Sequence, residues 1–422
     1  MHSVTNAIPT GTIASIPAKA HAHRALICAA LANSPSTILL SRTSKDIDAT
    51  MDSLRGLGAH VVYENKVVTV TPGPVPAKGN VVPHESGTTL RLLLPVAASI
   101  CNDVDVDAKG RLPDRPLEPM LSEIKAHGVT FSQDKPPFTM TGRLQGGNFS
   151  MVGDVSSQFF SGLLLAAPQI GLSTITATSP LQSSDYVTLT TETMRNFGVE
   201  VEHTLPDTNI NEAFTVPFGA SFIGRDNYQI EGDWSNAAIW MVAAGMTGKP
   251  ITITGMNKNS VQADRRIMQV MIDAGCDVVW DGMNITVTGR ASKPIHADLE
   301  QMPDMLPVMA ALACSISGES SFIKGARLRL KESDRLIAVA NLVRDLGGTV
   351  LEEGDDLYII GSGTLKGGHG DCVNDHRLVM AGTLMALISE NPVTLQDSEA
   401  ITKSYPDFFE DWNLLGGDAH GI

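Results

Sequence analysis

Residues 18–34 read AKAHAHRALICAALANS: a polar, charged opening, then small and apolar residues with an alanine pair near the end. The same plan returns at 85–99 (ESGTTLRLLLPVAAS), 156–168 (SSQFFSGLLLAAP), 234–245 (WSNAAIWMVAAG), 303–315 (PDMLPVMAALACS) and 374–389 (NDHRLVMAGTLMALIS). Counted from Lys19, Ser86, Ser156, Ser235, Asp304 and Asp375, the steps are 67, 70, 79, 69 and 71 residues. Each segment predicts a buried helix with a polar first turn.

A second, amphipathic helix follows each of these and stops at a glycine. Examples are DATMDSLRGLG (48–58) and DRLIAVANLVRDLG (334–347). The stops are Gly58, Gly128, Gly198, Gly275, Gly347 and Gly416, with steps of 70, 70, 77, 72 and 69 residues. Glycine suits the left-handed residue that ends a helix. Two short β-rich runs joined by a polar turn come after most stops, as in AHVVYENKVVTVTP (59–72) and CDVVWDGMNITVTG (276–289). Two independent periodicities therefore give six copies of one α/β unit.

Six units over 422 residues divide naturally into two domains of three. The last unit lacks its strand pair, and the run TNAIPTGTIASI (5–16) is placed to supply a missing strand. Residues 1–16 then join 231–422 as a C-terminal domain, with 17–230 as the N-terminal one. The second crossing falls near 225–231, in the longest step.

The chain carries 31 Lys and Arg against 46 Asp and Glu, a net charge of −15. That balance argues against nucleic acid and anionic membrane as partners. It also makes any local cluster of cations informative. Five dispersed cysteines without a CxxC pair suggest neither a disulfide framework nor a structural zinc site. No apolar run approaches the roughly 20 residues needed to cross a bilayer. The N-terminal stretch has no apolar core of signal-peptide length. A soluble, cytoplasmic, monomeric protein is expected.

Chemistry collects at the helix starts. The first helices open with Lys19 and Arg24; Ser86-Gly87-Thr88 with Arg91; Ser156-Ser157-Gln158; and Asp375-His376-Arg377. Unpaired N–H groups, a positive dipole end, hydroxyls and cations together make anion sites. Capping alone would account for the Ser, Thr and Asp, but not for the Lys and Arg. Before the second helices stand Arg115 (DRPLEPM), Lys331-Glu332 (KESDR) and Lys403 (TKSYPDFF), and Arg335 opens one of them. Cations oppose the dipole at a helix start, so these positions hint at function. His21 and His23 stand two apart, a poor spacing for shared metal ligation, and read as polar first-turn residues. Loops of the GxxxxGK[ST], GxGxxG and GxSxG types, and HExxH, are absent from the sequence.

In order along the whole chain, PAKAHAHRAL, ESGTTLR, LPDRPLEPM, SSQFFSGLLLAAP, SSDY, YQIEGDWS, MPD, LKESDRL, NDHR and TKSYPDFF resemble the 5-enolpyruvylshikimate-3-phosphate synthase family. The resemblance implies a two-domain inside-out α/β barrel of six βαβαββ repeats, helices inside and sheets outside, with the active site in the interdomain cleft. It implies transfer of the enolpyruvyl group of phosphoenolpyruvate to the 5-hydroxyl of shikimate 3-phosphate, with release of phosphate, on the route to chorismate. No metal or organic cofactor is implied.

Carried onto this sequence, the family pattern implies that Ser156, Ser157 and Ser183 bind the shikimate phosphate with Lys331. Gln158 and Tyr186 face the shikimate ring, and Arg24 pairs with its carboxylate. Gly87, Arg115, Gln158, Arg335, Arg377 and Lys403 hold phosphoenolpyruvate, and Lys19 touches both substrates. Asp304 takes the 5-hydroxyl proton, and Glu332 protonates the methylene carbon. Gly87 is the residue of glyphosate-sensitive members, so inhibition competitive with phosphoenolpyruvate is expected.

Three departures stand out. Ala18 and Ala20 flank Lys19 where the family carries serines, which removes one hydrogen bond worth on the order of 1 kcal/mol. Glu85 stands where many members have Asn, and Arg327 replaces a frequent Asn. Two other readings follow. One is UDP-N-acetylglucosamine 1-carboxyvinyltransferase, whose loop cysteine is missing from AKGRLPDRP (108–116). The other is a non-catalytic paralogue that binds similar anions, against which the retained Lys19, Asp304, Glu332 and Lys403 argue.

Overall fold

Small side chains decide how the repeats pack. The computed structural model describes residues 1–207 and 211–422. They form two units, Pro17–Ile230 and a second made of Met1–Ile16 with Glu231–Ile422. The first unit carries helices α1 (Lys19–Ala30), α2 (Lys45–Gly56), α3 (Gly87–Ile100), α4 (Met120–Ala126), α5 (Ser157–Ile170) and α6 (Asp185–Asn196). The second carries α7 (Trp234–Thr247), α8 (Ile267–Asp273), α9 (Leu306–Cys314), α10 (Arg335–Asp345), α11 (His376–Ala386) and α12 (Phe408–Leu414).

Helices α1, α3 and α5 are apolar nearly all round, and such helices must be buried on every side. Leu92, Leu93 and Leu94 of α3 have no exposed surface. A methyl group on Gly162 of α5 would lie 2.5 Å from the Arg91 carbonyl oxygen and 2.9 Å from Pro95 Cγ of α3. Glycine at 162 is therefore what lets the two backbones meet. The amphipathic helices end as the sequence requires. The six glycine stops all have positive φ, from +88° at Gly198 and Gly347 to +105° at Gly58. A Cβ in that conformation would crowd the carbonyl.

Among the described residues, six four-stranded sheets surround these helices, all wired alike. Gly79–Val81 runs parallel to Asp103–Val106, which pairs antiparallel with Phe138–Gly142, which pairs antiparallel with Val129–Phe131. The other five repeat that order. Strand residues alternate in burial, as in the half-buried and buried pattern of Asp103–Val106. Within each unit the helices thus fill the interior and the sheets face out, the inside-out α/β arrangement. Each unit has its own apolar core.

Three sheets borrow strands from distant sequence. Tyr228–Gln229 lies parallel to Ser36–Leu39. Gly11–Ala14 lies parallel to Ile251–Thr254 in the fourth repeat. The last repeat is completed by His2–Val4, between Val393–Gln396 and Ala419–Gly421. The run at 5–16 thus serves the fourth repeat, and the residues before it serve the sixth. Among the described residues no helix is long and apolar enough to cross a membrane.

Candidate active site

In the second unit, Asp304 sits in the short turn Pro303–Met305 that leads into α9. Its carboxylate takes an N–H from Arg335 Nη1 at 2.7 Å, with Lys331 Nζ at 3.2 Å and Arg377 Nη2 at 3.6 Å. Burial alone would raise its proton affinity. Lys331, Arg377 and Arg335 outweigh that and hold the carboxyl well below the usual range. Arg335, the first residue of α10, is 2% exposed. Its Nε and Nη2 donate to the two oxygens of Asp375 at 2.9 and 3.1 Å. Burial works against the guanidinium charge, but Asp375 and Asp304 more than restore it. Lys331 is the weaker cation of the set. Burial, helped by Arg327 and Arg335 and opposed by Asp304, lowers it to about 8.

Glu332 adjoins that knot on the His376 side. Its carboxylate meets His376 Nδ1 at 3.0 Å and Lys403 Nζ at 4.0 Å. Lys403 Nζ also donates to the Asn374 carbonyl at 2.7 Å. Two carboxylates in one unit therefore have separate surroundings, Asp304 among three cations and Glu332 beside an imidazole. Behind them lies Asp264, 1% exposed, which accepts from the Ser235 hydroxyl. Burial pushes its carboxyl up to about 6 against the pull of Arg377.

The first unit brings the remaining residues into two linked groups. Lys19 opens α1, whose cap position, Ala18, offers no side-chain acceptor. Its ammonium donates to Asp46 in the first turn of α2 at 2.7 Å. Gln158 donates to the Thr88 hydroxyl at 2.8 Å and accepts from Arg91 Nη1 at 3.1 Å. Arg91 also reaches the Pro116 carbonyl at 2.9 Å, and the Arg115 guanidinium lies directly over Gly87. Gly87, Thr88, Arg91, Arg115 and Gln158 form one patch.

Arg24 is tied into the packing of the helices. It is 1% exposed. It donates to Thr190 from Nε, to the Ala20 carbonyl from Nη1, and to Ser161 and the Tyr186 carbonyl from Nη2. Most of its donors thus brace α1 against α5 and α6. Ser183 follows in the same neighbourhood, its carbonyl accepting from the Tyr186 amide at 3.1 Å. Ser183 has φ +54°, a left-handed conformation that costs a non-glycine residue about 1 kcal/mol. Ser156 caps α5 through Gln158 N at 3.3 Å, and Ser157 is that helix's buried first residue.

The expectation that the cations oppose helix dipoles holds for Arg335 alone. Arg115 is extended at ψ 141°, as a residue before proline must be, and α4 begins only at Met120. Lys331 ends a 3₁₀ turn four residues before α10, and Lys403 ends another, Ser398–Lys403, ahead of α12. His21 and His23 lie near the start of α1. Both are buried, His21 against the Tyr228 hydroxyl at 2.8 Å and His23 against Thr50 at 2.6 Å.

Sequence reading missed the roles of Asp46 and Asp375. The sequence pattern did not single out Asp46, and it offered Asp375 only as part of a polar helix start. Asp375 does cap α11 through Arg377 N at 3.0 Å while gripping Arg335. Glu332, Asp375 and His376 bring three metal-capable atoms within 4.8 Å of one another. Asp375 is committed to Arg335 and Ser333, and His376 to Glu332, so the trio is already a protein ion-pair network.

The fold and these two sets of side chains define a group-transfer enzyme for small anions. The model of the EPSP synthase (3-phosphoshikimate 1-carboxyvinyltransferase) family matches residues 7–412, and the chain belongs to that family. It is an enolpyruvyl transferase of the shikimate pathway. A 3-phosphoshikimate 1-carboxyvinyltransferase of Clostridium kluyveri is 36% identical over 413 residues, covering 97% of this chain and 95% of the relative. That of Pyrococcus abyssi is 34% identical over 405 residues, covering 95% and 94%. The solved EPSP synthase of Acinetobacter baumannii shares the fold with a TM-score of 0.80 at 22% identity, over 100% of this chain and 99% of that one.

Proposed function

We propose that this chain joins phosphoenolpyruvate to the 5-hydroxyl of shikimate 3-phosphate with Asp304 as the base and Glu332 as the acid. The observation that carries the assignment is the different surroundings of the two carboxylates. Asp304, held ionised by Lys331, Arg377 and Arg335, is the carboxylate with no proton of its own, and so the one to take the proton of the 5-hydroxyl. Glu332 beside His376 and Lys403 is a distinct group that delivers one to the methylene carbon. The two protons balance: one leaves the 5-hydroxyl as its oxygen adds to the enol carbon, and one arrives at the methylene. Elimination of phosphate then reverses the proton at carbon and restores the double bond.

In this reading Ser156, Ser157, Ser183 and Lys331 bind the shikimate phosphate, and Gln158 and Tyr186 line its ring. Arg24 offers the shikimate carboxylate what its bracing bonds leave. Gly87, Arg115, Gln158, Arg335, Arg377 and Lys403 hold phosphoenolpyruvate, and Lys19 reaches both substrates. The cations answer two phosphates and two carboxylates with charge-assisted hydrogen bonds. One chain carries every residue named, which supports a working monomer. Five buried free thiols fit a reducing cytoplasm.

Purified protein mixed with both substrates should release phosphate. No turnover at saturating substrate would end the proposal, and turnover only with a UDP-sugar acceptor would select the sister reaction. Light scattering would test the monomer.

A further inference from the structure

A buried chain of hydrogen bonds crosses three helices of the first unit and ends beside Gly87. His23 Nδ1 on α1 meets Thr50 Oγ1 on α2 at 2.6 Å. Thr50 Oγ1 meets Thr89 Oγ1 on α3 at 2.7 Å. Thr89 donates to Ser86 Oγ at 2.9 Å, and more weakly to the Asp46 carbonyl at 3.3 Å. Ser86 Oγ also accepts the Thr89 amide at 3.2 Å. All four side chains are buried, none more than 1% exposed. The chain thus ties the turn of α2 that carries Asp46, the partner of Lys19, to the first turn of α3.

Bonding fixes the direction of this chain. Burial, with Lys19 and Arg24 close by, lowers the proton affinity of His23 well below the usual value, so the ring is neutral and has one N–H. His23 Nε2 is buried without a partner. An orphaned donor there would be costlier and rarer than a bare lone pair, so the hydrogen belongs on Nδ1. Nδ1–H then donates to Thr50, Thr50 to Thr89, and Thr89 to Ser86. Both lone pairs of Ser86 Oγ are filled by Thr89, from its hydroxyl and its amide. Its own hydrogen is not used within this chain, and Ser86 directly precedes Gly87, over which Arg115 lies.

We propose that His23 is a positioning residue for phosphoenolpyruvate, acting through Thr50 and Thr89 to aim the Ser86 hydroxyl and to register the start of α3 against the Asp46–Lys19 pair. It touches no substrate. The inference rests on the assignment of Gly87 and Lys19 to phosphoenolpyruvate made above.

The test uses steady-state phosphate release and thermal melting on the full chain. His23→Leu removes the donor, and Thr50→Val cuts the chain with a side chain of the same shape. Each should raise KM for phosphoenolpyruvate about fivefold, the worth of one neutral hydrogen bond. KM for shikimate 3-phosphate should stay within about twofold in both. The double variant should be no worse than the worse single one, because both break the same chain. His23→Asn, whose amide can still donate to Thr50, should recover most of the lost affinity. A fall in melting temperature with unmoved KM in both single variants would overturn the role, as would multiplying effects in the double variant. The unaltered protein assayed alongside separates the two ideas. Absence of turnover there sinks the site assignment and this inference with it, while normal turnover with unshifted variants sinks only the role of His23.

Discussion

Gly87→Ala should separate stability from function. A Cβ built on Gly87 would lie 2.5 Å from Arg115 Nη1, 2.8 Å from Cζ and 3.1 Å from Nη2. Carbon contacts settle near ~3.5 Å, so the guanidinium must retreat by roughly 1 Å. The atoms in the way are the far end of a flexible side chain, and Gly87 has no positive φ to defend. Alanine as the first residue of α3 is also the better helix former, by up to about 1 kcal/mol. The fold should therefore hold or gain. The ligand should not. An Arg115 hydrogen bond to an anion is worth about 1.5–3 kcal/mol, and a displacement of that size loses most of it. KM for phosphoenolpyruvate should rise about 10- to 100-fold, with kcat changed much less, because the contact serves substrate and transition state alike. The assay is phosphate release against varied phosphoenolpyruvate at saturating shikimate 3-phosphate, beside a melting curve. KM within twofold of the unaltered protein would refute the placement of Arg115, and so would a collapse of the melting temperature with KM kept.

Asp304→Ala and Glu332→Gln should each cut kcat at least ~100-fold, in the range of a lost general base or acid, and near-normal turnover in either would refute its role. Lys331, lowered to about 8, loses its charge as pH rises, so kcat/KM for shikimate 3-phosphate should fall through that pH. Lys331→Arg should carry the fall to higher pH, and an unmoved limb would remove Lys331 from phosphate binding. Asp264 keeps its proton to about 6 in the fold but only to the ordinary carboxyl range when unfolded. The native state then binds the extra proton between those values, so this group's contribution is full in acid and declines as pH rises to about 6. Asp264→Asn should remove that decline in urea unfolding, and equal pH slopes would contradict it. Asp375→Asn leaves the buried Arg335 short of a charge and should cost about 3–5 kcal/mol in the same measurement, with a loss under about 1 kcal/mol counting against the pair.

The repeats were legible because two features recur with nearly one spacing. Each needs only local chemistry: apolar residues all round a helix, and a glycine where φ turns positive. The destination of the N-terminal strands was not legible to the residue. Three residues at His2–Val4 and four at Gly11–Ala14 carry too little pattern to choose between sheets. Candidate cations were visible as exceptions in an acidic chain. Their setting was misjudged, because Pro116 and Pro119 delay α4 and 3₁₀ turns precede α10 and α12. Asp46, His23 and the second duty of Asp375 act through partners 27 to 40 residues away. No window along the sequence joins such pairs, so only the folded chain reveals them.

The ion pairs of the second unit carry a consequence for catalysis. A carboxylate among three cations is a weak base, since protonating it forfeits their attraction. Asp304 is in that state. Anionic substrates compete for the same cations. On the proposed assignment, substrate oxygens that engage Lys331, Arg335 and Arg377 would loosen their hold on Asp304 and raise its proton affinity. Arg335 cannot turn far, because Asp375 grips it by two hydrogen bonds at zero exposure. Lys331 and Arg377 stand farther from Asp304, at 3.2 and 3.6 Å, and are more exposed, so on that assignment they would supply most of the change. If Asp304 is the base, it would strengthen when the substrate that carries the proton has bound. Asp375 then does more than stabilise the fold: by gripping Arg335 it keeps one cation fixed beside Asp304.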